Sequence, residues 1–229
     1  MRIHYLQHMG CEGIGRIANW AEERGHAVSA THLYRGEALP DDGSFDFLLI
    51  MGGPMNIYEY RNHPWLPAEK LFIKRAIDSG KIVLGICLGA QLIADVSGAK
   101  IFQNPTLEIG WFPLRFNAAR QAIPALRDFP SELTPLHWHG DTFQLPPGAL
   151  HLATSAACAN QAFTVGQRVI GLQFHIEMDA PDVAAFLDDT LPEPVPGQVQ
   201  SAAEILAGQC HLPAIHAALY TMLDALADS

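Results

Sequence analysis

Residues 81–98 read KIVLGICLGAQLIADVSG. Ile82, Val83 and Leu84 form the short apolar run of a buried strand, and from about Ala90 the pattern is helical until Gly98. Between them lie Gly85, Ile86, Cys87, Leu88 and Gly89, so a thiol sits on a tight strand-to-helix turn. The flanking glycines suit unusual dihedrals and a close backbone approach that a Cβ would obstruct. A sulfur at a helix N-terminus faces unpaired N–H groups and the positive end of the helix dipole, which favours the thiolate. These residues alone permit two readings of Cys87, a nucleophile or a small buried core residue.

Working outward, the preceding chain alternates strand and helix. Arg2–Gln7 reads as a strand, Gly13–Arg24 as a helix stopped by Gly25, and Ala27–Leu33 as a second strand. After the Pro40–Gly43 loop, the continuous apolar run Phe45–Met51 is the signature of a strand covered on both faces. It ends in Gly52-Gly53-Pro54-Met55-Asn56, which stops the ladder and exposes backbone N–H groups, although a plain strand-to-helix turn would look the same. Trp65–Ser79 follows as an amphipathic helix with Leu71, Phe72, Ala76 and Ile77 as its inner stripe. This order calls for a parallel sheet.

Beyond Gly98 the sequence is strand-rich. Strands are predicted at Leu107–Phe116, Glu132–Trp138, Leu150–Thr154, Ala162–Val165 and Arg168–Ile176, with a helix over Asp182–Thr190. A proline-rich stretch, Leu191–Gly197, precedes helices at about Ser201–Ala207 and Pro213–Ala227. The domain reading is a catalytic unit over residues 1–190 and a proline-rich connection with a helical extension, 191–229, packed on the same unit.

Composition excludes several classes. With 49% apolar and 17% charged residues among 229, the chain is an ordinary globular one. Its 14 basic and 24 acidic side chains give a formal net charge of −10, with the basic ones scattered, which argues against nucleic-acid binding. No apolar run approaches the roughly 18 residues of a membrane helix, and the start MRIHYLQHMG has too short an apolar core for a secretion signal. A cytoplasmic location and no membrane partner are expected. Cys11, Cys87, Cys158 and Cys210 form no CxxC pair and are expected to be reduced. Cys11 and Cys158 lack glycine-flanked turns and are not expected to be nucleophiles. His137 and His139 stand two apart, as metal ligands on a strand do, but no third clustered ligand is visible, and no metal is expected.

A second chemical signal lies at Gly171-Leu172-Gln173-Phe174-His175-Ile176-Glu177. Strand alternation would put His175 and Glu177 on one side, suited to a base and the carboxylate that orients it, or to an ordinary surface pair.

Together, Met51-Gly52-Gly53-Pro54, Gly85-Ile86-Cys87-Leu88-Gly89-Ala90-Gln91 and Gly171 to Glu177 resemble the blocks of the class I glutamine amidotransferases. The similarity is to the stand-alone branch related to the amidotransferase part of GMP synthetase. Weaker support comes from Gln7-His8 with Glu12-Gly13, from Glu108-Ile109-Gly110-Trp111 and from His137-Trp138-His139-Gly140-Asp141. One departure is Ile176, where the family commonly has proline.

The resemblance implies a doubly wound α/β three-layer sandwich around a central, mostly parallel sheet, with a C-terminal helical extension. It also implies a Cys87-His175-Glu177 triad forming a γ-glutamyl thioester and releasing ammonia. The Gly53 and Leu88 N–H groups would bind the oxyanion, and Gln91, His139 and Asp141 would contact substrate. The sequence has no GxxxxGKS motif and no Ser-Gly-Gly-rich synthetase loop, so no ATP site or other cofactor is expected. Three functions stay open: a glutaminase feeding ammonia to a separate synthetase chain, a free-standing hydrolase of glutathione-like or other γ-glutamyl compounds, and a non-enzymatic binding or regulatory protein.

Overall fold

The computed structural model describes residues 1–187 and 191–229. The first half alternates as the apolar periodicity requires: β1 (Arg2–Gln7), α1 (Arg16–Glu23), β2 (Ala27–His32), β3 (Phe47–Ile50), α2 (Leu66–Asp78), β4 (Ile82–Ile86) and α3 (Leu88–Val96). The strand-rich region contains β5 (Ile101–Trp111), β6 (Leu114–Phe116), β7 (Glu132–Leu133), β8 (Leu136–Phe143), β9 (Leu150–Thr154), β10 (Ala162–Val165) and β11 (Val169–Leu172). Helices α4 (Ala180–Leu187), α5 (Ala202–Ala207) and α6 (Leu212–Ala227) complete the chain.

Among the described residues, nine strands form one mixed sheet in the order β2-β1-β3-β4-β11-β10-β9-β6-β7. Strands β2, β1, β3, β4 and β11 are parallel neighbours, and the pairings from β11 through β7 are antiparallel. β5 and β8 pair separately as an antiparallel ribbon. Because strand side chains alternate faces, the parallel strands feed two cores. Phe47, Leu49, Ile82, Leu84 and Ile86 pack with α1 and α6 side chains, whereas Leu48, Ile50 and Val83 pack with those of α2 and α3. The product is a three-layer α/β sandwich with both faces of its parallel half covered.

Several boundaries differ from expectation for local reasons. Pro113 separates β6 from β5, and Pro135 separates β8 from β7, since proline supplies no N–H to a ladder. In α2 the inner face is Leu66, Glu69, Phe72, Ile73 and Ala76, while Leu71 is 64% exposed. At about 100° per residue Leu71 falls on the side of the helix away from the stripe centred on Glu69, Ile73 and Ala76, so it faces solvent although its neighbour Phe72 lies at the edge of that stripe. The end of the helix expected over Asp182–Thr190, and the unit boundary expected at 190, lie at residues 188–190, outside the described residues.

Helix α6 buries Leu212, Ile215, Ala218, Leu219, Met222, Leu223 and Leu226 in the core that also holds α1. Asp224 accepts hydrogen bonds from Trp20 Nε1 at 2.8 Å and from Arg24 Nε and Nη2 at 3.0 Å each. Among the described residues, no helix is long and apolar enough to cross a membrane.

The approach of α3 to the sheet depends on missing side chains. A Cβ on Gly85 would lie 2.4 Å from the Gly89 carbonyl, and one on Gly89 would lie 2.0 Å from the carbonyl oxygen of Ile50. Gly89→Ala is therefore expected to destabilise the fold by roughly 1–3 kcal/mol, the usual cost of overpacking. A denaturant midpoint equal to the wild type's would contradict this packing account.

Candidate active site

The turn after β4 places Cys87 at the N-cap of α3 with φ 52° and ψ −107°. Among the described residues it is the one non-glycine with positive φ. Such a conformation costs an L-residue energy and persists only where its surroundings impose it. Here the Cys87 N–H donates to Leu172 O of β11 (2.8 Å), while Cys87 O accepts from Ala90 N–H (3.0 Å) and Gln91 N–H (3.2 Å). The glycines beside Cys87 thus supply close packing, and the unusual dihedral falls on the cysteine itself.

β11 ends at Leu172, next to β4, so the following residues arrive beside the turn. His175 lies beyond the strand, tied by its N–H to Leu136 O (2.8 Å) at the start of β8. Its Nδ1 lies 2.8 Å from Glu177 Oε1, and Glu177 Oε2 accepts the Ile176 N–H at 2.9 Å. The pair expected from strand alternation is therefore present, but an irregular segment and these specific bonds hold it. Ile176, the departure from the family pattern, keeps an N–H that proline would lack, and that N–H orients the carboxylate.

Burial opposes charge on His175, but the Glu177 carboxylate and hydrogen bonding to Cys87 outweigh it and hold the imidazole well above its ordinary value of 6.5. Phe186 of α4 stands edge-on to the ring with centroids 5.4 Å apart. Cys87 is 7% exposed, and its Sγ lies 3.7 Å from Trp138 O and 3.8 Å from the Gln173 Nε2 donor.

Cys87 and His175 open on a cavity of about 400 Å³ whose wall also includes Glu12, Gly53, Leu88, Gln91, His139 and Asp141. Every expected site residue except Glu177, which stands behind His175, thus borders one cavity. Gln91 Nε2 reaches Asp141 O (3.3 Å) and Gln173 Oε1 (3.2 Å), and Asp141 Oδ2 accepts from Asn56 Nδ2 at 2.6 Å. His139 has protein groups at both ring nitrogens, Asp141 O at 3.1 Å and Glu108 Oε2 at 3.2 Å. It shapes the wall, with its ring nitrogens turned to Asp141 O and Glu108 rather than into the cavity.

Sequence reasoning missed a buried pair behind the Gly52-Gly53 strap. His8 Nδ1 donates to Gly52 O (3.1 Å), and its Nε2 donates to Glu69 Oε1 (2.7 Å), with both side chains fully buried. With both ring nitrogens protonated, His8 satisfies both acceptors at once. Burial disfavours that charge, but Glu69 and, more weakly, Glu12 and Gly52 O raise its pKa overall. The Gly52–Gly53 peptide is trans, so fixing its carbonyl toward His8 aims the Gly53 N–H the opposite way. The available signal was Glu69, a carboxylate on the apolar stripe of α2. His8→Gln, which leaves Glu69 buried without its cation, is expected to cost about 3–5 kcal/mol, measured by chemical denaturation.

A family model described as "Glutamine amidotransferase class-I" matches residues 16–186. The chain belongs to the class I glutamine amidotransferases. This amidotransferase-family chain is 36% identical over 215 residues to the glutamine amidotransferase-like protein YfeJ of Salmonella typhimurium, covering 90% of each. It is 32% identical over 134 residues to a glutamine-hydrolyzing GMP synthase of Bacillus pumilus, covering 57% of this chain and 24% of that protein. The crystal structure of SMU.1228c superposes with a TM-score of 0.93 at 36% identity, covering 99% of this chain and 100% of that one. A glutamine amidotransferase from Thermotoga maritima, tm1158, gives 0.90 at 28% identity, covering 100% and 99%. The fold is accordingly the class I amidotransferase fold with a C-terminal helix. The family supports hydrolysis of the glutamine amide in general, and the relatives include stand-alone amidotransferases and longer synthases.

One cluster beside this amidotransferase pocket was only partly legible. Glu108 of β5 stands opposite His139 of β8 in the ribbon register, and Gly110 stands opposite His137. Glu108 thereby supplies the third group that His137 and His139 lacked in the linear sequence. Ligand atoms of the three lie within 4.8 Å of one another. Burial pushes His137 down to about 3, despite the nearby Glu108 carboxylate.

Proposed function

We propose that this protein is a glutaminase-type cysteine hydrolase with Cys87 as nucleophile, His175 as acid and base, and Glu177 orienting His175. The observation that carries the proposal is a thiol held at positive φ on a helix N-terminus, in one cavity with a histidine backed by a carboxylate. The Cys87 thiolate adds to the side-chain amide carbon, forming the S–C bond and an oxyanion. Leu88 N–H, in the first turn of α3 where the helix offers it no acceptor, and Gly53 N–H receive that oxyanion. Protonated His175 gives its proton to the departing nitrogen as the C–N bond breaks. This releases ammonia and leaves a γ-glutamyl thioester. Neutral His175 then takes a proton from water, which attacks the thioester, and glutamate leaves as the thiolate reforms. Gln91, His139 and Asp141 line the substrate end of the cavity in this reading.

Two fates of the nitrogen follow. The chain spans about a quarter of the Bacillus pumilus GMP synthase it resembles, which supports transfer of ammonia to a separate synthetase chain. Hydrolysis of larger γ-glutamyl amides by the chain alone is supported by its near full-length match to YfeJ and by a cavity of about 400 Å³. That volume lies within the roughly 300–1,000 Å³ of sites for drug-sized ligands. Incubating the full chain with glutamine, asparagine, glutathione and other γ-glutamyl dipeptides, while measuring ammonia and amino acids, separates the two. Amino-acid release from γ-glutamyl peptides supports the free-standing hydrolase. Ammonia from glutamine, rising with an added synthetase, supports the subunit. No product from any substrate, with or without a synthetase, would overturn the enzymatic reading.

A further inference from the structure

We infer that Glu108, His137 and His139 form a buried site for a divalent transition-metal ion, best suited to zinc, which pins the β5–β8 ribbon behind the pocket wall. This inference does not depend on the chemistry proposed for Cys87. The ribbon register puts Glu108 opposite His139, and strand alternation turns His137 to the same face. Glu108 Oε2 lies 3.2 Å from His139 Nε2 and 3.9 Å from His137 Nδ1. A tetrahedral zinc with ligand bonds of about 2.0–2.2 Å separates its ligand atoms by roughly 3.3–3.6 Å, so the Glu108–His139 pair already has this spacing and His137 Nδ1, within 4.8 Å of both, closes in to complete the set.

The outer contacts match those of metal-binding imidazoles, which donate their remote N–H to a carbonyl or carboxylate. His137 gives its Nε2–H to Phe112 O at 3.2 Å, and His139 gives its Nδ1–H to Asp141 O at 3.1 Å. The first bond leaves the His137 Nδ1 lone pair facing Glu108, and the second leaves His139 Nε2 as the nitrogen that a metal would take in place of its contact with Glu108 Oε2. Glu108 Oε1, the oxygen turned from the histidines, accepts the Ser155 hydroxyl at 2.6 Å. A ligating carboxylate is itself commonly hydrogen-bonded in this way.

A second observation is independent of the cluster's shape. His137 Nδ1 is fully buried and has no hydrogen-bond partner among the described residues, and the same holds for Gln161 Oε1. An unpaired buried lone pair aimed at a carboxylate is costly, and a cation between the two removes that cost. Gln161 Nε2 lies 2.6 Å from Glu108 Oε2 and 3.5 Å from His139 Nε2. Turning this amide about its last bond would give up its hydrogen bonds to Glu108 and to Ser155 Oγ (3.0 Å) and, with an ion separating it from Glu108 Oε2, offer its oxygen as a fourth ligand. Two imidazoles with carboxylate and amide oxygens suit zinc better than magnesium or calcium, which prefer all-oxygen shells. His139 borders the cavity, so the site adjoins a route from solvent.

The test uses the full chain stripped with a chelator, then loaded with Zn²⁺ or Co²⁺, dialysed, and assayed by elemental mass spectrometry and visible absorption. The expected result is one ion per chain and an intense tetrahedral Co²⁺ band, both retained in Cys87→Ala. Glu108→Gln and His137→Gln should lose both. Ser155→Ala, which leaves every ligand in place, should fold normally and bind about 10- to 100-fold more weakly. Wild-type protein retaining less than a tenth of an equivalent after dialysis would overturn the site. So would full metal content in Glu108→Gln or His137→Gln, since that metal would reside elsewhere. If these two variants do not fold, wild-type nitrogen NMR decides. Loss of the His137 Nδ1 lone-pair resonance on adding Zn²⁺ supports the site, and a His137 Nδ1 resonance left unchanged by Zn²⁺ overturns it.

Discussion

Cys87→Ala is expected to reduce γ-glutamyl hydrolysis to background, a loss on the order of 10⁶-fold in kcat, as when the nucleophile of a catalytic unit is removed. Release of ammonia or amino acid from the full chain measures it, and a variant keeping even a tenth of wild-type activity would remove Cys87 from the mechanism. A stability comparison addresses the turn separately from the chemistry. At φ 52° the residue sits where only glycine is unstrained. Cys87→Gly should therefore be more stable than Cys87→Ala, by about 1 kcal/mol after glycine's entropic disadvantage is offset, with both inactive. Equal denaturation midpoints would mean that the turn carries little strain.

Glu177→Gln is expected to lower kcat/KM by roughly 10³-fold, within the usual range for general acid–base catalysis, and to change its pH dependence. In the proposed mechanism His175 must stay protonated to deliver its proton to the leaving nitrogen. Glu177 and Cys87 keep its pKa well above 6.5 against burial. Without the carboxylate, burial is less opposed, so the alkaline limb of the kcat/KM profile should move to lower pH. Stability should follow the same sign. A pKa raised by folding stabilises the fold fully below the unfolded value near 6.5 and ceases to do so as pH rises through the folded value. The wild type's stability advantage over Glu177→Gln should thus be largest in mild acid and shrink toward alkaline pH. An unmoved alkaline limb would remove Glu177 as the group that holds the His175 proton.

Much of the fold was legible because its signals are local. The apolar runs Phe47–Ile50 and Ile82–Ile86 and the glycine stops after α1 and α2 are consequences of burial and backbone conformation that short windows express. The phase of α2 was not legible. Leu71 is as apolar as Phe72, and only packing against β3, β4 and α3 selects which stripe faces inward. Nor could periodicity reveal that β11 stops at Leu172, because Gln173 to Ile176 stay buried although the chain bends at Gln173 and Phe174.

For the site, the sequence by itself determined the chemical parts: a thiol at a strand-to-helix turn, a His–Glu pair two residues apart, and a Gly-Gly strap. Each depends on residue types within a few positions of one another. Tertiary structure alone decided what those parts meet. The parallel pairing of β11 with β4 delivers His175 to Cys87. The α2 helix places Glu69 against His8 behind the strap, and the β5–β8 register brings Glu108 to His137 and His139 across some thirty residues. Such meetings arise from sheet order and register, set by burying two apolar faces at once, and no local window of the chain contains that constraint.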